Sequence, residues 1–201
     1  MVGVTVYVEG GGDRREQQAR LRRAFSQFIE KAGLKARMPK VVACGDRNSA
    51  YKDFRSAHKA SSRKALLLVD SEGPVRAESP WLHLQDRDGW NRLPNSTDDQ
   101  YHLMVQTMES WFLDDRKAIA DYYGPGFRSN AIPPWPEIEL VPKSDVYDTL
   151  RRSTQDTRKG RYHKGRHSFE ILRRLDPEKV VNSSAHAEMF VNSLKEFSSS
   201  A

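Results

Sequence analysis

The sequence predicts an α/β protein, with a mostly parallel sheet flanked by helices and a basic helical C-terminal extension. Three observations carry this. The apolar runs VGVTVYV (2–8) and ALLLV (65–69) are continuous rather than alternating, as in strands covered by helices on both faces. Helical apolar spacing fills the intervals between short strands, so the first 70 residues read β-α-β-α-β, which connects parallel strands by right-handed crossovers. Each long apolar run also stops at a carboxylate and turn residues, Glu9-Gly-Gly-Gly and Asp70-Ser-Glu-Gly.

The elements follow in order. After Val8 the glycines turn the chain, Asp13 is placed to cap a helix, and Leu21, Phe25, Phe28 and Ile29 point inward until Gly33 closes it. A short strand is expected at 41–44, then a helix capped by Asn48 and running to about Lys59 with Tyr51 and Phe54 inward. The third strand is 65–69. The segment 73–95, with Pro74, Pro80, Pro94 and two tryptophans, reads as a long ordered excursion without regular structure. A fourth strand is expected at 101–108, followed by Glu109 and a helix whose second part, capped by Asp114, ends at Gly124-Pro125-Gly126. Trp111 belongs to the core by this reading.

Five of the ten prolines fall in 124–142, which marks a connector. Beyond it Ser144 is placed to cap a helix through 152, two further helices are expected near 165–174 and 185–197, and 198–201 are expected to fray. The chain thus divides into an α/β core, 1–123, and a Pro-rich connector with a basic helical region, 124–201, packed on that core as one domain.

Composition narrows the class. With 201 residues, 37% hydrophobic and 30% charged, and with 4 Trp, 8 Phe and 7 Tyr, the chain can bury one substantial core. No apolar run is long enough to span a bilayer, and the short apolar start lacks the basic flank and cleavage site of a secretory leader. The single cysteine, Cys44, rules out a disulfide framework or thiolate zinc cluster and fits a reducing cytoplasm; it reads as a small buried hydrophobe.

Nine Lys/Arg against Asp156 and Glu170 give 151–174 a charge of +7 where the whole chain carries +6, so the remainder sums to −1. Charge so concentrated suits a polyanion such as nucleic acid, or an acidic partner surface. RKGRYHKGRHSFEILRR interleaves Arg158, Lys159, Arg161, Lys164 and Arg166 with Tyr162, His163, His167 and Phe169. Cations neutralise phosphates and aromatic faces stack on unpaired bases, which fits flexible or single-stranded nucleic acid; a solvated helix face or a docking surface is the alternative. Lys164 and His167, one helical turn apart, could reach a scissile phosphate, with Lys164 stabilising developing charge.

Neighbouring βα units bring the ends of the first and third strands together, and carboxylates gathered there repel unless a cation neutralises them. A hard divalent ion, Mg²⁺ or Mn²⁺, takes such oxygen ligands. In an extended Asp-x-Glu step Asp70 and Glu72 point to one side, so Glu9, Asp70 and Glu72 can face one ion. Taken singly, each could equally be a cap or turn residue. Glu109 could add a second-metal ligand or a base, or simply sit at a helix N-terminus where the dipole favours it.

VYVEGGGD and LLLVDSEGP resemble the two signatures of the TOPRIM superfamily, a strand ending in Glu-Gly and a later strand ending in Asp-x-Asp. With HLMVQTMESWFLDD and YHKGRHSFEIL, the nearly full-length pattern is similar to small bacterial TOPRIM-like proteins paired with an ATPase in phage-defence loci. The resemblance implies a TOPRIM-like, Rossmann-like fold, Glu9 as metal ligand or general acid/base, and Asp70 and Glu72 as the acidic pair. Glu72 stands where the superfamily pattern has a second Asp. The expected function is a Mg²⁺- or Mn²⁺-dependent nuclease with Glu9, Asp70, Glu72 and Glu109 as ligands and Glu9, Glu109, Lys164 and His167 in catalysis. A non-catalytic module binding nucleic acid or an ATPase partner is the alternative. A small-molecule phosphotransferase, with glycines 10–12 cradling phosphate, is disfavoured because there is no GxxxxGK[ST] loop and no nucleophile motif.

Overall fold

The computed structural model describes residues 3–60 and 64–199. Strands β1 (Thr5–Val8), β2 (Lys40–Ala43), β3 (Ala65–Asp70) and β4 (Tyr101–Met104) form one parallel sheet in the order β2-β1-β3-β4. The crossover helix α1 (Arg15–Ile29) packs on one face through Leu21, Phe25, Phe28 and Ile29, against Val6, Val8, Leu66 and Leu68. Helix α2 (Arg47–Lys59) covers the other face, where Ala50, Tyr51 and Phe54 meet Leu67, Val69 and Tyr101. The chain therefore leaves β1 in both directions across the sheet, and the β1/β3 boundary is its topological switch point, where open α/β sheets bind ligands.

Within 73–95 the expectation of irregular chain is corrected by α3 (Pro80–Asp88). Ser79 accepts from the Leu82 N–H, Pro80 sits in the first turn, and Gly89 closes the helix at φ +66°. Pro80 was read as a breaker, but at the first helical position its missing N–H costs nothing. Strand β4 stops at Met104, short of 108, because the chain there turns toward the site and continues as a 3₁₀ turn, Met108–Phe112.

Several caps also differ. Asp13 does not cap α1, whose N-cap is Arg14 with no side-chain bond. Asp46, rather than Asn48, caps α2 by accepting from the Ser49 N–H at 3.0 Å. Asp115, rather than Asp114, caps α4 (Arg116–Tyr123), and α5 (Lys143–Thr154) begins after Pro142 without a Ser144 cap. For α2 and α4 a residue one or two positions earlier or later is the one aligned with the first turn, a difference sequence spacing does not resolve, whereas α1 and α5 start without a side-chain cap.

The C-terminal region adds α6 (Lys164–Leu172), α7 (Pro177–Ser183) and α8 (Ala185–Ser199). Helix α7 was not foreseen, and α8 extends through Ser199 where fraying was expected; Ser200 and Ala201 lie outside the described residues. Val146, Leu150, Leu172, Phe190 and Leu194 join the same core as β1 and α1, and Ile132, Ile138 and Val141 of the Pro-rich connector are buried there too. Trp111 is fully buried, stacked on Phe28 at 5.4 Å. Cys44, just after β2, is half-buried, and burial followed by the nearby Asp53 charge pushes its thiol up to about 12.

Candidate metal centre

Glu9 leaves β1 with its N–H bonded to the Leu68 carbonyl at 3.0 Å, and its own Oε2 accepts from the Asp70 N–H at 3.1 Å. That cross-strand bond fixes the glutamate over the end of β3. Arg47, at the start of α2, approaches the same oxygen at 3.4 Å and also donates to the Asp70 carbonyl. Arg47 is itself held by Asp88 of α3 through two bonds of 2.9 and 2.7 Å. Burial and then the Asp70 charge push Glu9 up to about 7 in spite of Arg47.

Asp70 is buried at the end of β3. Its Oδ1 accepts from the Met108 N–H at 2.8 Å, and its Oδ2 lies 3.1 Å from the Thr107 hydroxyl, whose one proton it shares with Glu109. Burial raises its pKa, which the Lys164 ammonium 3.5 Å away opposes. Glu72 corrects one detail of the sequence reading. It is not in an extended step but has φ +63°, with its N–H bonded to the Gln106 carbonyl at 2.9 Å. The backbone bends there to meet the turn after β4. Burial pushes its carboxyl up, but an ion pair with Lys143 more than offsets this and holds it below the usual range.

One carboxylate oxygen from each of Glu9, Asp70 and Glu72 lies within 4.8 Å of the others. Ligands on one Mg²⁺ at roughly 2.0–2.1 Å stand about 3–4 Å apart, so small rotamer adjustments suffice to close this set on an ion. The donors are all hard oxygens, and burial first, with neighbouring carboxylates after it, raises Glu9 and Asp70, which disfavours their charged forms in a way that a cation would relieve. The residues fit a divalent ion.

Glu109 stands behind this set. It is fully buried in the 3₁₀ turn, with Oε1 accepting from Tyr162 at 2.8 Å and Oε2 accepting from Thr107 at 2.9 Å and Tyr147 at 3.2 Å. Lys164 lies 3.6 Å away. The carboxylate's lone pairs are thus engaged by protein donors, and it is not among the three converging oxygens. Lys164 bridges Asp70 and Glu109. Burial lowers its pKa, but the two carboxylates outweigh this and the net shift is upward, so it is a fixed cation.

His167 is not brought to this centre. It is buried, with Nδ1 2.7 Å from the Tyr123 hydroxyl and accepting from the His163 N–H at 3.1 Å, and burial followed by the Arg166 charge lowers its pKa to about 4. Tyr162 and Phe169 are likewise buried, which corrects the expectation that they stack on bases at the surface. Arg158, Lys159, Arg161, Lys164 and Arg166 are exposed.

With this geometry the chain matches the family described as "Domain of unknown function (DUF4276)" over residues 8–195. It belongs to that family. No curated protein and no solved structure matches it. The DUF4276 match runs from the last residue of β1 to within α8, so it takes in Glu9, Asp70, Glu72, Glu109 and Lys164 together.

Residues that sequence reasoning did not single out complete the candidate site in this chain: Arg47, Thr107, Lys143 and Tyr147. Thr107 lies within HLMVQTMESWFLDD, two residues before Glu109, and Arg47 directly precedes Asn48 at the start of the expected helix. Lys143 carried no signal beyond its place after the prolines.

Proposed function

We propose that this protein is a Mg²⁺- or Mn²⁺-dependent phosphodiesterase acting on nucleic acid, of TOPRIM-like type, working in the cytoplasm as a defence effector with an ATPase partner. One observation carries the chemistry: the convergence of Glu9, Asp70 and Glu72 at the switch point of a parallel sheet, next to Lys164 on a basic helix. Three carboxylates converging around the buried Asp70 are an arrangement that stability alone disfavours. The partner and the defence role rest on the resemblance of the four motifs.

An ion held by these carboxylates would activate a water and neutralise the phosphate. The chain's own groups do the rest. The Asp70 N–H and Arg47 fix the rotamer of Glu9, and the Met108 N–H and Thr107 hydroxyl fix Asp70. Lys164, aimed by Asp70 and Glu109, supplies positive charge where a phosphoryl oxygen gains negative charge in the transition state. Exposed arginines of α1 and of the 158–166 segment hold the strand.

The test is cleavage of single-stranded and duplex DNA and RNA with Mg²⁺ or Mn²⁺, by the protein alone and with an ATPase partner. Cleavage that Glu9→Gln abolishes supports the reading. If wild type cleaves nothing under any condition and Glu9→Gln is indistinguishable from it in cells, the reading is wrong. A second reading, a non-catalytic regulatory module, is favoured by the Lys143–Glu72 pair and by Lys164, because lysines already engage oxygens that an ion would use. It predicts nucleic-acid binding that is indifferent to Asp70→Asn.

A further inference from the structure

Beside the carboxylates lies a cavity of about 540 Å³, bounded by α1, α6 and the ends of β1 and β4. Glu9, Asp70 and Lys164 line one end, and Leu21, Met104, Met108 and Phe169 supply apolar walls. We propose that this cavity receives the base and sugar of a single unpaired nucleotide, with its phosphate directed to the carboxylate end. The identity of the ligand rests on the phosphodiesterase reading above. It implies that the substrate is single-stranded, frayed or flipped out where it is engaged.

The size lies within the roughly 300–1,000 Å³ range of small-molecule sites. The walls suit a base, because an aromatic ring and two methionines offer polarizable, adaptable surface that favours no single base edge. The polar groups are segregated. Glycines 10–12, with φ of +125°, +85° and +54°, bring bare backbone to the rim, and at Gly11 a Cβ would stand 2.9 Å from the Gln18 Cα. Asp13, Arg14 and, on α1, Gln17 follow.

Charge at the mouth fits the same ligand. Arg20 of α1 donates to the Arg166 carbonyl of α6 at 3.0 Å, which joins the two basic helices into one rim. Sequence alone assigned the positive charge to the C-terminal segment; folding adds Arg14, which lines the cavity beside Asp13. A sugar-phosphate chain along that rim would leave one base free to enter. Lys164 belongs to both the cavity and the carboxylate cluster, so it marks where phosphate passes between them.

The test is direct binding of adenosine 5′-monophosphate by calorimetry, with Mg²⁺, to the full chain and to Gly165→Leu. Gly165 lines the cavity, and a Cβ there would meet nothing closer than His163 Cε1 at 3.8 Å, so leucine fills space without displacing backbone. Expected are saturable binding, affinities at least about tenfold weaker for adenosine alone and for inorganic phosphate alone, and a similar loss in Gly165→Leu with an unchanged melting temperature. A single-stranded oligonucleotide should displace the nucleotide and a blunt duplex should not. If Gly165→Leu fails to fold, photolabelling of wild type with 8-azidoadenosine 5′-monophosphate should mark the walls formed by Met104, Met108 and Phe169. No nucleotide binding, binding untouched in a folded Gly165→Leu, equal displacement by duplex, or labelling elsewhere overturns the proposal. Binding is read without turnover. Nucleotide capture without cleavage therefore counts against the phosphodiesterase alone, and cleavage without capture counts against the cavity alone.

Discussion

The Lys164 ammonium stands 3.5 Å from the Asp70 carboxylate and 3.6 Å from that of Glu109, so one cation serves a residue of the proposed metal set and the buried carboxylate behind it. Lys164 is half exposed, whereas Glu109 is fully buried. The carboxylate is therefore the anchor, and the lysine is the group that can turn to a phosphate. Lys164→Met should lower kcat by about 10²–10³-fold, the usual cost of one transition-state charge donor. Mg²⁺ affinity should stay the same or rise, because a competing cation has gone. Steady-state kinetics and metal titration on the same samples separate the two effects.

Glu9 gives a pH dependence whose sign can be worked out. Its carboxyl rises from 4.5 to about 7 on folding, so between those values the folded state holds a proton that the unfolded state releases. Metal-free protein should therefore lose stability as pH rises through about 7, by on the order of 2–3 kcal/mol from this group. His102, buried and lowered to about 4 by burial, contributes with the opposite sign: its stability is complete above 6.5 and is lost as pH falls toward 4. The comparison that isolates Glu9 is thus wild type against Glu9→Gln. The variant should be the more stable at pH 8 without metal, the gap should close toward pH 4.5, and the Mg²⁺-dependent gain in melting temperature should shrink. Thermal scans across pH check all three.

Thr107 is a buried hydroxyl between two carboxylates, 3.1 Å from Asp70 Oδ2 and 2.9 Å from Glu109 Oε2. Thr107→Val keeps the shape and removes the one hydroxyl proton, which serves one carboxylate at a time, leaving one buried acceptor short of a partner. The expected loss is about 1–3 kcal/mol in urea denaturation. A neutral result would mean that the lysine and the two tyrosines satisfy the carboxylates unaided.

Glu72 holds a left-handed backbone at φ +63°, a conformation that glycine adopts more readily. Glu72→Gly should cost no more than about 1 kcal/mol of stability, because relief of that strain offsets loss of the part-exposed Lys143 pair. Metal affinity should fall nonetheless. Denaturation and metal titration of this variant ask whether the residue is kept for its carboxylate.

The parallel sheet and the convergence of Glu9, Asp70 and Glu72 were legible in the sequence, because a buried strand announces itself by a continuous apolar run and βα connection rules place its end. The surroundings were not. Arg47 reaches Glu9 across 38 residues and Lys143 reaches Glu72 across 71, and no local pattern specifies such partners. Glu109 was visible as a carboxylate, but its enclosure by Tyr147 and Tyr162 depends on how α5 and the segment before α6 dock. Tyr162, Phe169 and His167 looked like a nucleic-acid surface because basic residues alternate with aromatic ones. The same alternation arises when a helix buries its aromatic side and exposes its cations, as α6 does with His167 and Phe169 inward and Lys164 and Arg166 outward. Helix α3 was hidden by Pro80, whose meaning changes from breaker to starter once Ser79 caps the turn.

The most direct test of the metal centre is Mn²⁺ binding to metal-free protein, followed by the loss of the free-ion electron paramagnetic resonance signal, for wild type, Asp70→Asn and the Glu9→Gln/Asp70→Asn/Glu72→Gln triple variant. The account predicts saturable binding by wild type, displaced by Mg²⁺, weakened in the single variant and absent in the triple. Wild type that binds no more Mn²⁺ than the folded triple variant would contradict it.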